Sequence, residues 1–448
     1  MTEVVSLEQE MSETPHTESG KRISASRQTL NLRRRYGPDL TVALVSKFPP
    51  SIGGEAEYFY SLATSISKIS PAVAVANYET KAKLLESSGK LRIFRVWRLN
   101  SLTYPLRILR ACLSLKPRLI HANHEYMLYG RPAYGALFPL LLLLLRLART
   151  PIILTMHSVV PRGSLKNDFF KRYGWKRLAS AWGLCFMIWT RLTLRLSDHV
   201  IVHSKVSKTL LCCEYGCRSD KISVIGHGVA TFPFTNQSRA KELLKFGDRP
   251  VILQFGFLHE KKGTESLLRA TGMVVKNHPN ALLVVVGGPH VSYRNDPASF
   301  REFVSRLTSL IKENGLDNNV VIRTEYVPDE LAPLYFASAD IVALPYIEHF
   351  GASGVLARAM AMGNAVVATR VNPFFETIDD GVTGILVERN NEPELADAID
   401  EILSNSKLRE ALGRNLKDSA SKLSWQNVAR QHLALYSQVS EYNSKLHY

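Results

Sequence analysis

The sequence predicts an α/β protein with two doubly wound parallel-sheet domains facing a cleft, and three observations predict it. The chain has 448 residues, 46% of them hydrophobic, which is more than one core of ordinary size holds. From Leu40 onward, short apolar runs alternate with segments long enough for helices, as in parallel strands joined by crossover helices. Around Phe232 to Asp248, Pro233, Asn236, Gln237 and Ser238 interrupt the apolar pattern, after which the alternation starts again.

Residues 1–38 are polar and end in the basic run Arg33-Arg34-Arg35, so they read as a mobile arm. The first domain, 39–235, takes its strands from Leu40–Ser46, Val73–Ala76, Leu119–His121, Ile152–Thr155 and Val200–His203. The second, 236–424, takes them from Val251–Phe255, Ala281–Val286, Val320–Thr324, Ile341–Leu344, Ala365–Thr369 and Gly384–Val387. In the last segment, 425–448, Trp425, Val428, His432, Leu435 and Tyr436 are spaced for one face of an amphipathic helix. Ligands of such sheets bind beyond the carboxyl ends of the strands, which places the site between the two domains.

Fifty-six lysines and arginines stand against 40 acids, and the net charge of +16 favours a polyanionic neighbour: anionic lipid, nucleic acid or a phosphorylated ligand. No nucleic-acid-binding module is recognisable, so no nucleic-acid partner is expected. The five cysteines, Cys112, Cys185, Cys212, Cys213 and Cys217, form no CxxC pair and no zinc spacing, and read as reduced core thiols. Met1 to Glu13 contains no apolar core of a secretory signal, so a cytoplasmic protein is expected. Ala133–Leu145 and Leu178–Thr190 are apolar, but each is shorter than the roughly 20 residues that cross a bilayer.

After the first strand comes Lys47-Phe-Pro-Pro-Ser-Ile-Gly-Gly54, followed by a helix with Phe59, Leu62, Ala63 and Ile66 on its apolar side. Paired Gly53 and Gly54 let the backbone approach a phosphate or sugar at a positive helix start, or simply make a tight turn. Four more segments complete a pattern: Thr155-Met-His157, Val224-Ile-Gly-His-Gly228, Gly256-Phe-Leu-His-Glu-Lys-Lys-Gly263, and Ser353-Gly354 leading to Ala359-Met-Ala-Met-Gly-Asn-Ala-Val-Val-Ala-Thr369.

In order and spacing these segments resemble family 4 (group 1) of the retaining glycosyltransferases, over nearly everything after residue 40. The resemblance implies the two-domain GT-B fold, a nucleotide-diphosphate-sugar as co-substrate, no metal or other cofactor, and a last helix that crosses back onto the first domain. It puts Lys262 on the donor diphosphate, where a fixed ammonium stabilises the leaving group. It puts the amides of Ser353, Gly354 and Val355 at a helix start facing the same group. His157 is implied beside the donor sugar, and Glu348 as the catalytic carboxylate; a helix-start carboxylate is the alternative for Glu348 and strand-end packing for His157. Glu376 and Val327 are implied on the donor, with base readout around Tyr326-Val327-Pro328. His227 is read as part of the site or as a buttress of the hinge.

The chain departs from the family at two places. Phe257 stands where an arginine often follows the glycine, and Arg358, or Leu356 on another alignment, stands where many members carry a second glutamate; by their places in the pattern both Phe257 and Arg358 are still expected on the donor. A non-catalytic scaffold or nucleotide-sugar-binding protein is therefore the competing reading. Finally, Arg162, Lys166, Lys171, Arg172, Lys176 and Arg177 flank the single acid Asp168 and interleave with Phe169, Phe170, Tyr173 and Trp175. That mixture suits docking of Arg162–Arg195 on an anionic membrane carrying a lipid-linked acceptor, with a solvated basic loop as the alternative.

Overall fold

The computed structural model describes residues 42–80, 82–166, 170, 179–232 and 236–446. The expected basic arm, and Lys171, Arg172, Lys176 and Arg177 of the expected membrane segment, lie outside the described residues. Asp39–Tyr448 forms one compact unit that contains two sheets.

The first sheet has eight strands: β1 (Val42–Val45), β2 (Ala72–Asn77), β3 (Leu85–Ser88), β4 (Leu91–Trp97), β5 (Leu119–His124), β6 (Ile152–Met156), β7 (His199–Val202) and β8 (Ile222–Val224), in the order β3-β4-β2-β1-β5-β6-β7-β8. All neighbours run parallel except the β3–β4 pair. The second sheet has β9 (Val251–Phe255), β10 (Leu282–Val286), β11 (Val320–Arg323), β12 (Ile341–Leu344), β13 (Ala365–Thr369) and β14 (Ile385–Val387), parallel throughout in the order β11-β10-β9-β12-β13-β14. Strands such as Val42–Val45 and Leu282–Val286 are buried at every position, as continuous aliphatic runs must be when helices cover both faces.

Three strands were not expected from the sequence. Leu85–Ser88, Leu91–Trp97 and Ile222–Val224 carry arginines, serines or an acid inside them, so no uninterrupted apolar run marks them. Arg95 shows why a cation fits there: it is 2% exposed, lies 3.0 Å from Glu86 and donates to the carbonyls of Asn77, Phe48 and Pro49. Two thiols also depart from expectation, since Cys185 and Cys213 are exposed at outward positions of their helices.

Each sheet has its own core. In the first, helix Gly54–Ser67 and the C-terminal helix Trp425–Leu446 cover one face, and Val428, Ala429, Leu435 and Tyr436 join that core. Helices Tyr104–Leu115 and Phe138–Leu147 cover the other. The chain order reverses between β1 and β5 in one sheet and between β9 and β12 in the other. At such switch points the loops diverge to opposite faces and leave a crevice at the carboxyl ends of the strands.

Candidate functional site

Gly53 and Gly54 stand at the first of those switch points, and Lys262 and the Ser353–Val355 helix start at the second. Beyond β1, the loop to Gly53 is braced by Asn77, whose Oδ1 accepts from Phe48 N at 3.2 Å and whose Nδ2 donates to Ser51 Oγ at 2.7 Å. Lys47 pairs with Glu55 at 3.1 Å. Gly53 has φ 150°, and a side chain there would collide with the Glu55 carboxylate; around Gly54 a Cβ would meet open space. The positive φ therefore explains Gly53, since the Glu55 carboxylate is the mobile end of a side chain, and nothing in the packing explains Gly54.

Beyond β9, the turn carrying Lys262 is pressed against the end of β12. At Gly263 the φ is 70°, and a Cβ would stand 1.8 Å from the carbonyl oxygen of Pro345. Ile347 N donates to Lys261 O at 2.9 Å, and the Lys262 ammonium sits 3.6 Å above the Tyr346 ring. That cation helps keep the buried His349 neutral: desolvation first, and then Lys262, push its pKa down to about 3. Helix Gly354–Met362 starts at the same place. Ser353 is its N-cap, with Oγ accepting from Leu356 N. The side chain of Ser353 is thus committed to the cap, while the first-turn amides of Gly354 and Val355 have no partner within the helix. Val355 packs 3.1 Å from where a Cβ on Gly256 would be. Phe257 stacks on Tyr326 with ring centroids 6.3 Å apart, and Val327 packs against the core of the second domain.

On the first domain, His157 follows β6. Its Nδ1 lies 3.1 Å from His203 Nε2, and His203 Nδ1 lies 2.9 Å from the carbonyl oxygen of Ile225. A carbonyl only accepts, so His203 carries its proton on Nδ1, and its bare Nε2 accepts from His157 Nδ1–H. His157 is left with an unprotonated Nε2, which finds no partner among the described residues. Burial holds His157 well below the ordinary imidazole range and lowers His203 to about 3, so both rings are neutral at physiological pH. His227 bonds the carbonyl of Gly228 at 2.7 Å and is lowered by burial to about 4.

The two domains touch at this edge. Ser158 and Gly351 form an antiparallel bridge, and Val159 N donates to Phe350 O at 3.1 Å. The loop that carries Glu348 is thereby strapped to the strand end that carries His157. Two expected donor ligands are engaged elsewhere. Glu376 accepts from the amides of Lys205 and Val206, both at 2.7 Å, so it caps helix Lys205–Cys213 of the opposite domain. Arg358 pairs with Glu57 of the opposite domain at 2.7 Å and with Asp329 at 2.8 Å. Neither pairing was visible in the sequence, because each partner lies more than twenty residues away.

Sequence reasoning also passed over His203 and Glu125. His203 ends an apolar strand, Val-Ile-Val-His, and that position was a usable signal. Glu125, the one acid between Glu86 and Asp168, sits beyond β5 at the switch point. Burial, opposed by a hydrogen bond from Ser158, raises its carboxyl to about 7.

The family model described as "Glycosyltransferase Family 4" matches residues 52–231, and the one described as "Glycosyl transferases group 1" matches residues 236–419. Between them they take in every strand of both sheets except β1. The chain belongs to the family 4, group 1 glycosyltransferases. Among curated relatives of this chain, a D-inositol 3-phosphate glycosyltransferase of Corynebacterium kroppenstedtii is 32% identical over 249 residues, 54% of this chain and 53% of that protein. An uncharacterised glycosyltransferase of Methanocaldococcus jannaschii is 32% identical over 55% of this chain and 61% of its own. The matched part thus spans between half and two thirds of these relatives' length. Among solved structures, sucrose-phosphate synthase from Thermosynechococcus elongatus superposes with a TM-score of 0.70 at 21% identity, covering 89% of this chain and 99% of that one. Anabaena HepE, solved with UDP and glucose, superposes at 0.67 with 18% identity, covering 89% and 100%. The shared fold is GT-B.

Proposed function

We propose that this glycosyltransferase moves a sugar from a nucleotide-diphosphate donor to a lipid-linked, glycan or small-molecule acceptor, with retention of anomeric configuration and without a metal ion. One observation carries the reading. The carboxyl edges of the two sheets meet at the Ser158–Gly351 bridge, and one brings an ammonium and a helix start, the other His157, whose buried Nε2 has no partner among the described residues. Lys262 and the Gly354 and Val355 amides offer fixed positive charge to a departing diphosphate, and preorganised charge of that kind is a large source of rate acceleration. Glycines at 256 and 263 bring that charge close to the backbone. His157 Nε2 accepts from a sugar hydroxyl, with Glu348 on the loop strapped beside it. The Phe257–Tyr326 pair offers a flat surface to a base, and HepE, which shares the fold, was solved with UDP. Gly54 and Glu125 follow β1 and β5, at the switch point of the first domain.

Arg358, at the place where many members carry a second glutamate, favours a competing reading as a nucleotide-binding scaffold without transfer. A thermal-shift panel of uridine, guanosine, adenosine and thymidine diphosphates, followed by transfer assays with the matching sugars, separates the two. Stabilisation by one diphosphate, with transfer of its sugar that survives EDTA and keeps the anomeric configuration, is expected. Stabilisation without transfer or donor hydrolysis makes it a scaffold; no stabilisation by any of them removes the donor site.

A further inference from the structure

Helices Tyr104–Leu115, Phe138–Leu147 and Ala179–Leu196 lie side by side on the face of the first sheet opposite the C-terminal helix. Their inward residues, among them Ile108, Leu141 and Leu142, join the core beneath. Their outward residues are apolar as well. On the middle helix Leu140, Leu143 and Leu147 are 45%, 43% and 71% exposed and form one stripe. Leu106 and Leu113 continue the surface on one side, and Leu184, Ile188 and Leu192 on the other, all at least 45% exposed. Helices apolar on both faces normally bury both, and an exposed apolar patch spread over three of them marks a surface that something covers.

The charge of the chain lies in the same stretch. From Lys90 to Leu196 there are nineteen lysines and arginines and two acids, Glu125 and Asp168; the remaining thirty-seven basic and thirty-eight acidic residues nearly balance, so this stretch accounts for the whole excess of +16. Arg107, Arg110, Arg146, Arg149, Arg191 and Arg195 are exposed on or beside the three helices. A second copy of the chain would bring like charges together across such a face. Nucleic acid would use the arginines and leave the leucines in water.

We infer that this three-helix face lies on an anionic bilayer, with the leucines at the acyl-chain boundary and the guanidinium groups among the lipid phosphates. Among the described residues no helix is long and apolar enough to cross a membrane, which agrees with lying on the surface. Each of the three helices leads into a parallel strand, so a right-handed crossover starts each of them at the carboxyl edge where the candidate site opens. The cleft then faces along the bilayer. That the acceptor is membrane-borne rests on the glycosyl-transfer reading; the docking does not. The surface takes in one helix of the expected Arg162–Arg195 segment, the helix that overlaps the apolar stretch Ala133–Leu145, and one, Tyr104–Leu115, that the sequence did not single out.

Flotation of the full chain with phosphatidylcholine vesicles, with and without phosphatidylglycerol, tests the inference. The wild type should float only with the anionic vesicles and lose binding as salt is raised. Leu140→Gln/Leu143→Gln/Leu147→Gln and, separately, Arg107→Gln/Arg110→Gln/Arg191→Gln/Arg195→Gln should each weaken binding by about a hundredfold. Cooperative thermal unfolding at the wild-type midpoint serves as the folding control, and two independent variants keep the test decisive if one misfolds. A wild type that stays unbound, or variants that float as it does, overturns the inference. So does a dimer in light scattering that the leucine variant converts to monomers. Intact flotation with no diphosphate binding would sink the transfer reading and leave this one standing.

Discussion

At Lys262 the ammonium is held over the Tyr346 ring by a turn that only glycine at 263 allows, so its charge is positioned before any donor arrives. Lys262→Ala is expected to lower turnover by about a hundredfold, the scale seen when a preorganised transition-state contact is removed. Unchanged turnover together with unchanged diphosphate affinity would exclude the role. On the proposed reading of His157, His203 would act on the chemistry only through it. Its Nε2 holds the His157 proton on Nδ1, and without that acceptor the imidazole is free to exchange tautomers. His203→Ala is expected to lower turnover by the worth of a hydrogen bond, about 1 to 3 kcal/mol or roughly five- to hundredfold. His203→Gln, whose Oε1 can accept from His157, should recover most of it. A purely structural histidine would instead show lost stability in both variants and no rescue.

Among the elements, glycines separate what packing needs from what a ligand needs. A Cβ on Gly228 would stand 2.3 Å from the Trp425 ring, at the point where the C-terminal helix begins its return to the first domain. Gly228→Ala should therefore destabilise the fold by about 1 to 3 kcal/mol or more, read as a lowered urea midpoint. Gly54→Ala should do the opposite. Space is open around it, and alanine is the better helix residue, so stability should hold or rise while activity falls if a ligand approaches that backbone. Equal activity in Gly54→Ala would show that the paired glycines make a turn and nothing more. The Gly-Gly pair and the strand–helix alternation were legible from the residues because they are local patterns. Leu85–Ser88 and Leu91–Trp97 were not, since Arg92 and Arg95 look like loop residues until Glu86 and the Phe48 loop carbonyls are known to meet Arg95.

At the scale of the whole molecule, buried histidines set the response to acid. His203 and His349 are lowered by burial to about 3, and His124, His227 and His432 to about 4, while His121 and His157 lie well below their ordinary value of 6.5. Between pH 6.5 and these depressed values the unfolded chain binds protons that the native state refuses. Stability is thus fully present above pH 6.5 and falls as pH drops toward 4, by up to about 1.4 kcal/mol per pH unit for each histidine. Glu125 has the opposite sign: raised to about 7, it takes up its proton in the native state first and stabilises the fold as pH falls below that value. Glu57, also raised by burial, acts in the same direction as Glu125, and these two carboxyls against the seven histidines named leave net destabilisation. Urea midpoints at about pH 7.5 and pH 5.5 should differ by several kcal/mol in unfolding free energy, and equal midpoints would contradict the burial of these rings.

The sequence by itself determined two parallel α/β sheets and the family, and it pointed to the loops that carry Gly54, His157, Lys262 and Ser353. All of these are written in runs of neighbouring residues, whose periodicity and spacing do not depend on the rest of the chain. Only the tertiary structure decided which side chains those loops leave available. Glu376 was expected on the donor and caps a helix of the other domain; Arg358 pairs across the cleft with Glu57; His157 receives its tautomer from a ring forty-six residues away. The surface of three leucine-lined helices was hidden for the same reason. Helical spacing shows that a helix has an apolar face, but a helix apolar all round shows which side meets the core and which meets solvent only once its neighbours are in place.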